Sequence, residues 1–282
     1  MADSMLPLYA KAVLKALPLP GASRARMPER TIVRSVPIDA DAYAGFTTVV
    51  EAGLGDIVHP GYLHVLAFPL SMQLLSDPGV PLPMMGMVHI RNRVDSLAPV
   101  RVGDVVDLHV RLDGPFEHDK GTTIDVLVEA RVDGEPRMLE TTTYLAKGRT
   151  LSGAKPGPVI DRQEFTAPQP TALWRLDPIV GTRYARASGD YNPIHLSSLA
   201  ARGFGFPRVI AHGMYSASRA LAAVDVRLER YRWDVAFAKP VLLPSTVGFA
   251  ITAGRRHEES ASAVFDPRRG RPHVLSEVSR LD

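Results

Sequence analysis

An alternation of period two constrains this chain more than any other feature. Val106, Leu108, Val110 and Leu112 are separated by Asp107, His109 and Arg111. Ile124, Val126, Val128, Ala130 and Val132 alternate with Asp125, Glu129 and Arg131, and Leu127 is the one exception. Successive side chains on a strand point to opposite faces, so this pattern predicts a sheet with one buried and one wet face. Asp113-Gly114 and Asp133-Gly134 predict hairpin turns beside these runs. Further strands are expected over 86–94 and 138–145. The apolar stretch 62–75 is too long for a strand and predicts a helix laid across the sheet. Pro69 within it removes a hydrogen bond and should bend that helix or divide it in two.

The second half repeats the order. The pattern predicts helices over 178–188 and 213–224, an irregular loop over 189–210, and strands near 233–239, 247–252, 260–265 and 273–278. The segment 99–106 (Pro-Val-Arg-Val-Gly-Asp-Val-Val) is echoed by 240–247 (Pro-Val-Leu-Leu-Pro-Ser-Thr-Val). His59-Pro60-Gly61 has a looser counterpart in Ala211-His212-Gly213. A helix followed by about four antiparallel strands, occurring twice, implies an α+β protein of two modules. Residues 156–170 are rich in proline and glycine and are expected as a linker between modules at 1–155 and 171–282. The N-terminal stretch 5–20 reads as a short helix or arm, because Lys11 and Lys15 interrupt its apolar run.

Several classes of function are disfavoured. The chain has no cysteine, so a disulfide framework, a cysteine nucleophile and a Cys-based zinc site are all impossible. Its net charge of +3 comes without a basic run, which does not make a nucleic-acid face. No segment has the continuous apolar length of a membrane span, and a cytoplasmic protein is expected.

The residues most suggestive of chemistry lie between Tyr184 and Met214. Ser188, Gly189, Asp190, Asn192 and Pro193 form a turn-rich cluster after a helix. Asp190 and His195 flank a proline turn that can aim both side chains into one cleft. A carboxylate beside an imidazole is a usable acid/base pair for handling water. His212-Gly213-Met214 opens a helix whose first N–H groups have no intrahelical acceptor, a geometry suited to a thioester oxyanion. Taken as residue types alone, Asp-x-Asn-Pro is more often a turn, and a histidine at a helix start is more often structural. Asp190, His195 and His212 as metal ligands lack a standard spacing.

The string Tyr184-x-x-x-Ser188-Gly189-Asp190-x-Asn192-Pro193-Ile194-His195, then Gly205-Phe206, then Ile210-x-His212-Gly213-Met214, resembles the signature of MaoC-like dehydratases and type 2 enoyl-CoA hydratases. The resemblance implies a double hotdog fold with the catalytic residues in the second module. It implies reversible hydration of a trans-2-enoyl thioester to an (R)-3-hydroxyacyl thioester in fatty-acid metabolism. Asp190 and His195 would activate the water, Asn192 would orient them, and the Gly213 amide would bind the thioester oxygen. Tyr184, Ser188 and His212 would line the substrate site. Arg208 and Lys239 are candidates to meet phosphates of the carrier, which is CoA or acyl-carrier protein; no metal or redox cofactor is expected. The first module would be degenerate, and in this family such a module typically widens the acyl pocket by omitting part of its central helix. A homodimer is compatible with this reading. The competing readings are a hotdog thioesterase and a non-catalytic thioester-binding subunit.

Overall fold

The computed structural model describes residues 27–158, 164–253 and 259–282. The expected N-terminal arm and part of the expected linker lie outside these residues. Ten strands form one antiparallel sheet: β1 (Thr31–Pro37), β2 (Val88–Ser96), β3 (Val105–His118), β4 (Gly121–Val132), β5 (Glu135–Lys147), β6 (Ala172–Leu176), β7 (Tyr231–Phe237), β8 (Ser245–Ala253), β9 (Ser260–Asp266) and β10 (Arg271–Arg280). Their order is β1-β3-β4-β5-β2-β7-β10-β9-β8-β6. The second five strands mirror the first five, and β2 pairs with β7 at the junction. Two long connections carry the main helices, α1 (Ala40–Val50) and α2 (Pro60–Leu75) in the first half, α3 (Ile179–Ser188) and α5 (Gly213–Val224) in the second. The short α4 (Ser198–Gly203) lies between α3 and α5. This is the double hotdog arrangement, with α2 packed on β3 and β4 and α5 on β9 and β10.

The period-two pattern lands as expected. Val106, Leu108, Val110 and Leu112 are buried beside Ile124, Val126, Val128 and Ala130, and Leu127 falls on the outer face. The repeat is also structural: Ile57 bridges Arg101 in the first module, and Ile210 bridges Leu242 in the second. His59 and His212 occupy the same place, each the N-cap of its module's central helix.

Two expectations are corrected and one is narrowed. Asp113-Gly114 is not a hairpin turn, because β3 runs on to His118 through a bulge between Asp113 and Phe116. Gly114, at φ +117°, absorbs the extra residue there. Of the two outcomes expected at Pro69, division is the one ruled out, because α2 is one helix of 16 residues. The helix is buried almost all round, and that burial outweighs a proline cost of about 3 kcal/mol. Four strands follow the central helix in each module, as expected, and the edge strands β1 and β6, which have weak alternation, precede the helices. Finally, β7 ends at Phe237, so Lys239 lies beyond it and not within a strand.

The junction is held by burial and by paired charges. Trp233 on β7 is fully buried and donates its indole N–H to Ser276 Oγ at 2.8 Å. On the other face, Arg91 makes a bidentate pair with Asp234, at 2.8 and 2.7 Å, and Arg93 joins the same carboxylate at 2.8 Å. Arg232 forks onto Asp95 across the same seam. A central sheet edge left open would expose unpaired backbone groups, and the β2·β7 pairing closes it.

Candidate active site

The site is built where α3, the connection 189–212 and the start of α5 meet. The C-cap of α3 is Gly189, left-handed at φ 73°, which turns the chain sharply. Ser188 Oγ donates to the Tyr184 carbonyl at 2.7 Å and accepts the Asp190 N–H at 3.2 Å. Ser188 is buried, and its role here is to hold the backbone of Asp190. Asp190 Oδ1 accepts the Asn192 N–H at 3.1 Å, and Asn192 Oδ1 caps the 3-10 turn Pro193–His195 through the Ile194 N–H. Asn192 therefore positions the turn that separates the pair; its side chain is spent on the backbone.

His195 is buried and donates Nδ1–H to the Ile210 carbonyl at 2.8 Å. A carbonyl only accepts, so the proton sits on Nδ1 and Nε2 keeps its lone pair. Burial holds the imidazole below its usual range, opposed by the Asp190 charge and the Ile210 hydrogen bond. The carbonyl of His195 lies on Gly181 of α3. A Cβ there would come within 2.3 Å of that oxygen, so only glycine lets the turn sit this close.

His212 stacks on His195 with ring centroids 3.6 Å apart and an interplanar angle of 23°. Its Nε2–H donates to the Asp190 carbonyl at 3.0 Å, and Asp190 Oδ2 is 3.7 Å from the same nitrogen. Burial, then the neighbouring His195, push its pKa down to about 3, so the ring is neutral. Tyr184 packs against His212 at 4.9 Å, and burial and then Asp190 raise its phenol. Asp190, His195 and His212 each offer an atom within 4.8 Å of the others. They are close enough to share a cation, although each histidine already commits one nitrogen to a carbonyl.

Gly213 begins α5, and the His212 side chain makes no capping bond there. The first N–H groups of the helix thus keep their partial positive charge for a ligand. The glycine's missing Cβ makes room for Phe237, whose ring would stand 2.9 Å from it. The sequence instead suggested that the space would admit a ligand.

Tyr184, Ser188, Asp190, Asn192, His195, His212 and Gly213 are thus brought together. Arg208 and Lys239 are exposed. The Arg208 guanidinium reaches the Pro244 carbonyl at 3.3 Å, beside a surface cleft lined by Arg175, Leu176, Asp177, Pro244, Ser245 and Thr246. The Lys239 carbonyl accepts from His273, and no contact ties its ammonium to the site.

Residues of the first module also reach the site, which the sequence reading did not anticipate. His89 on β2 packs its ring 4.5 Å from Phe237 and 5.1 Å from Tyr144. The Asp190 charge is felt at both His89 and Tyr144.

Comparison with known proteins places the chain in a family. Residues 161–264 match the model of the MaoC like domain. The chain is 35% identical over 258 residues to 3-hydroxyacyl-thioester dehydratase X of Mycobacterium tuberculosis, covering 91% of both chains. The crystal structure of HtdX from that organism superposes with a TM-score of 0.78 at 32% identity, over 89% of this chain and 100% of that one. A further M. tuberculosis protein, described as having a double hotdog fold, superposes with a TM-score of 0.55 at 12% identity, over 89% of this chain and 95% of that one; this shows the fold alone. The fold and the site define a double-hotdog hydro-lyase. The chain belongs to the MaoC-like dehydratase family.

Proposed function

We propose that this enzyme adds water to a trans-2-enoyl thioester, and removes it from the (R)-3-hydroxyacyl thioester, with Asp190 and His195 acting on one water. The observation that carries the reading is the fixed tautomer of His195. Its Nδ1–H is held by Ile210, and its neutral Nε2 is available as a base next to the Asp190 carboxylate.

The carboxylate accepts one hydrogen of the water and orients it, while Nε2 takes the other. The water oxygen bonds to C3 and the π electrons move toward the thioester oxygen. The N-terminus of α5, led by the Gly213 N–H, meets that developing charge, a contribution of about 3 kcal/mol for a well-placed donor. The proton then returns at C2, so the reaction is balanced without any change in oxidation state. His212, stacked against His195 and bonded to the Asp190 carbonyl, keeps the two groups in register. Arg208, whose guanidinium lies beside a surface cleft, would meet a phosphate of the carrier.

The test is loss of enoyl-thioester absorbance with crotonyl- and octenoyl-CoA, with chiral analysis of the product. The wild-type enzyme should give the (R)-3-hydroxyacyl product. Asp190→Asn and His195→Gln should each lose about a hundredfold or more in kcat with unchanged melting temperature. Near-normal rates in both variants, or an (S) product, would refute the assigned roles.

A further inference from the structure

The interior of the first module carries a polar stripe where a hotdog sheet usually packs apolar side chains onto its helix. On β5 the alternating inward positions are Met138, Glu140, Thr142, Tyr144 and Ala146, and Leu145 is buried as well. The matching inward positions of β10 in the second module are Val274, Ser276 and Val278. Glu140 has no exposed side-chain surface. Its Oε1 accepts from His64 Nδ1, on α2, at 2.7 Å, and its Oε2 is buried with no hydrogen-bond partner in the protein. Two residues on, Thr142 donates to Asn92, whose amide nitrogen is likewise buried and unpartnered. A buried carboxylate with one oxygen unsatisfied is costly, and replacing such a pair by apolar residues is often neutral or stabilising. Fold stability alone therefore does not account for it.

This stripe is continuous with the active site. His64 stacks on His89 with centroids 6.0 Å apart, His89 packs on Phe237 at 4.5 Å, and Phe237 fills the space over Gly213. His89 donates Nε2–H to the Arg91 carbonyl at 3.1 Å, which leaves Nδ1 as an acceptor. The wall of contacting side chains that runs from the Gly213 backbone through Phe237, His89 and His64 into the first module thus includes two acceptors, His89 Nδ1 and the buried Glu140 Oε2. An alkyl chain satisfies neither.

We propose that this wall receives a hydrogen-bond donor on the acyl arm of the substrate, and that the preferred substrate is an acyl thioester carrying a hydroxyl group beyond C3. This rests on the hydratase reading and specifies its substrate class. A hydroxyl on the chain donates to Glu140 Oε2 and replaces the missing partner. Discrimination by a buried acceptor built to meet a hydroxyl is stronger than discrimination by fit in an apolar slot.

The experiment compares kcat/KM for octenoyl-CoA and decenoyl-CoA with that for their terminally hydroxylated counterparts, in the wild type, in Glu140→Gln and in His64→Leu/Glu140→Leu. Crotonyl-CoA, too short to reach the stripe, reports the chemistry alone. The wild type should favour at least one hydroxylated chain by roughly tenfold or more. The double variant should lose that preference while keeping its crotonyl-CoA rate, a split that a purely structural pair would not produce. If the variants fail to fold, competitive inhibition of the wild type by saturated octanoyl- and decanoyl-CoA and their hydroxylated forms decides the matter, with tighter inhibition by a hydroxylated form expected. Equal kcat/KM or equal inhibition across each pair overturns the proposal and leaves the hydratase reading standing. No turnover of crotonyl-CoA or any other enoyl thioester by the wild type overturns both.

Discussion

At the scale of single residues, burial keeps imidazoles neutral in and around the candidate site. Burial pushes His59 down to about 4 and His89 and His212 down to about 3, and it lowers His195 as well. Two consequences follow with a definite sign. The first concerns rate. The base form of His195 persists below the ordinary imidazole value near 6.5, so the acidic limb of kcat/KM for crotonyl-CoA should lie below that pH; a limb centred above it would contradict the burial argument. The second concerns stability. The unfolded chain takes up protons on His59, His89 and His212 below about pH 6.5, whereas the folded chain resists until about pH 3 to 4. Protons therefore favour unfolding throughout that window, and the melting temperature should fall steadily from neutral pH toward about pH 4. A melting temperature that rises on acidification would show that the rings are not held neutral.

At the scale of elements, the site depends on how closely α3 and the turn carrying His195 approach one another. Gly181→Ala places a Cβ against a backbone carbonyl and not against a flexible side chain, so the turn has to move. A displacement of about an ångström at a catalytic group costs roughly a hundredfold, and the overpacking itself costs about 1–3 kcal/mol. Gly181→Ala should accordingly reduce kcat by about tenfold or more, with a modest fall in melting temperature; unchanged kinetics would mean that this contact does not position His195. The same scale shows what the sequence could and could not convey. Alternation along β3 and β4 was plain because both strands bury one face. The edge strands β1 and β6 bury little, and so carry little pattern. Gly114 looked like a turn because a glycine after aspartate serves a bulge as readily as a hairpin. Asp190, His195 and Gly213 were legible because they lie in one contiguous stretch. Glu140, His64 and His89 come from three separate elements, and no local spacing links them. One signal was nonetheless present: Glu140, Thr142 and Tyr144 place polar groups at inward positions of a predicted strand.

At the scale of the whole molecule, the two modules share one sheet, and His89 of the first packs against Phe237 beside the candidate site of the second. The long apolar stretch 62–75 is read in the sequence as a helix, and α2 runs 16 residues, so the helix that a degenerate first module typically shortens is present here. What the first module adds is the buried polar stripe of Glu140, Thr142 and Asn92. Since β2 and β7 are paired strands with Trp233 buried between the modules, the described core should unfold as one cooperative unit. Trp233→Ala should cost about 3–5 kcal/mol. Asp234→Ala, which strips the partner from Arg91 and Arg93 at a partly exposed site, should cost roughly 1 kcal/mol. Calorimetry should show a single transition that both changes shift downward. Two separate transitions would show that the modules are energetically independent.

The central claim, that Asp190 and His195 act together on a single water, is tested most directly by combining the two substitutions. Groups that act as a unit are strongly non-additive, because removing either one disables the other. Asp190→Asn/His195→Gln should therefore hydrate crotonyl-CoA only slightly more slowly than the worse of the two single variants. A double variant whose loss is the product of the two single losses would show that the carboxylate and the imidazole contribute independently, and would contradict the account.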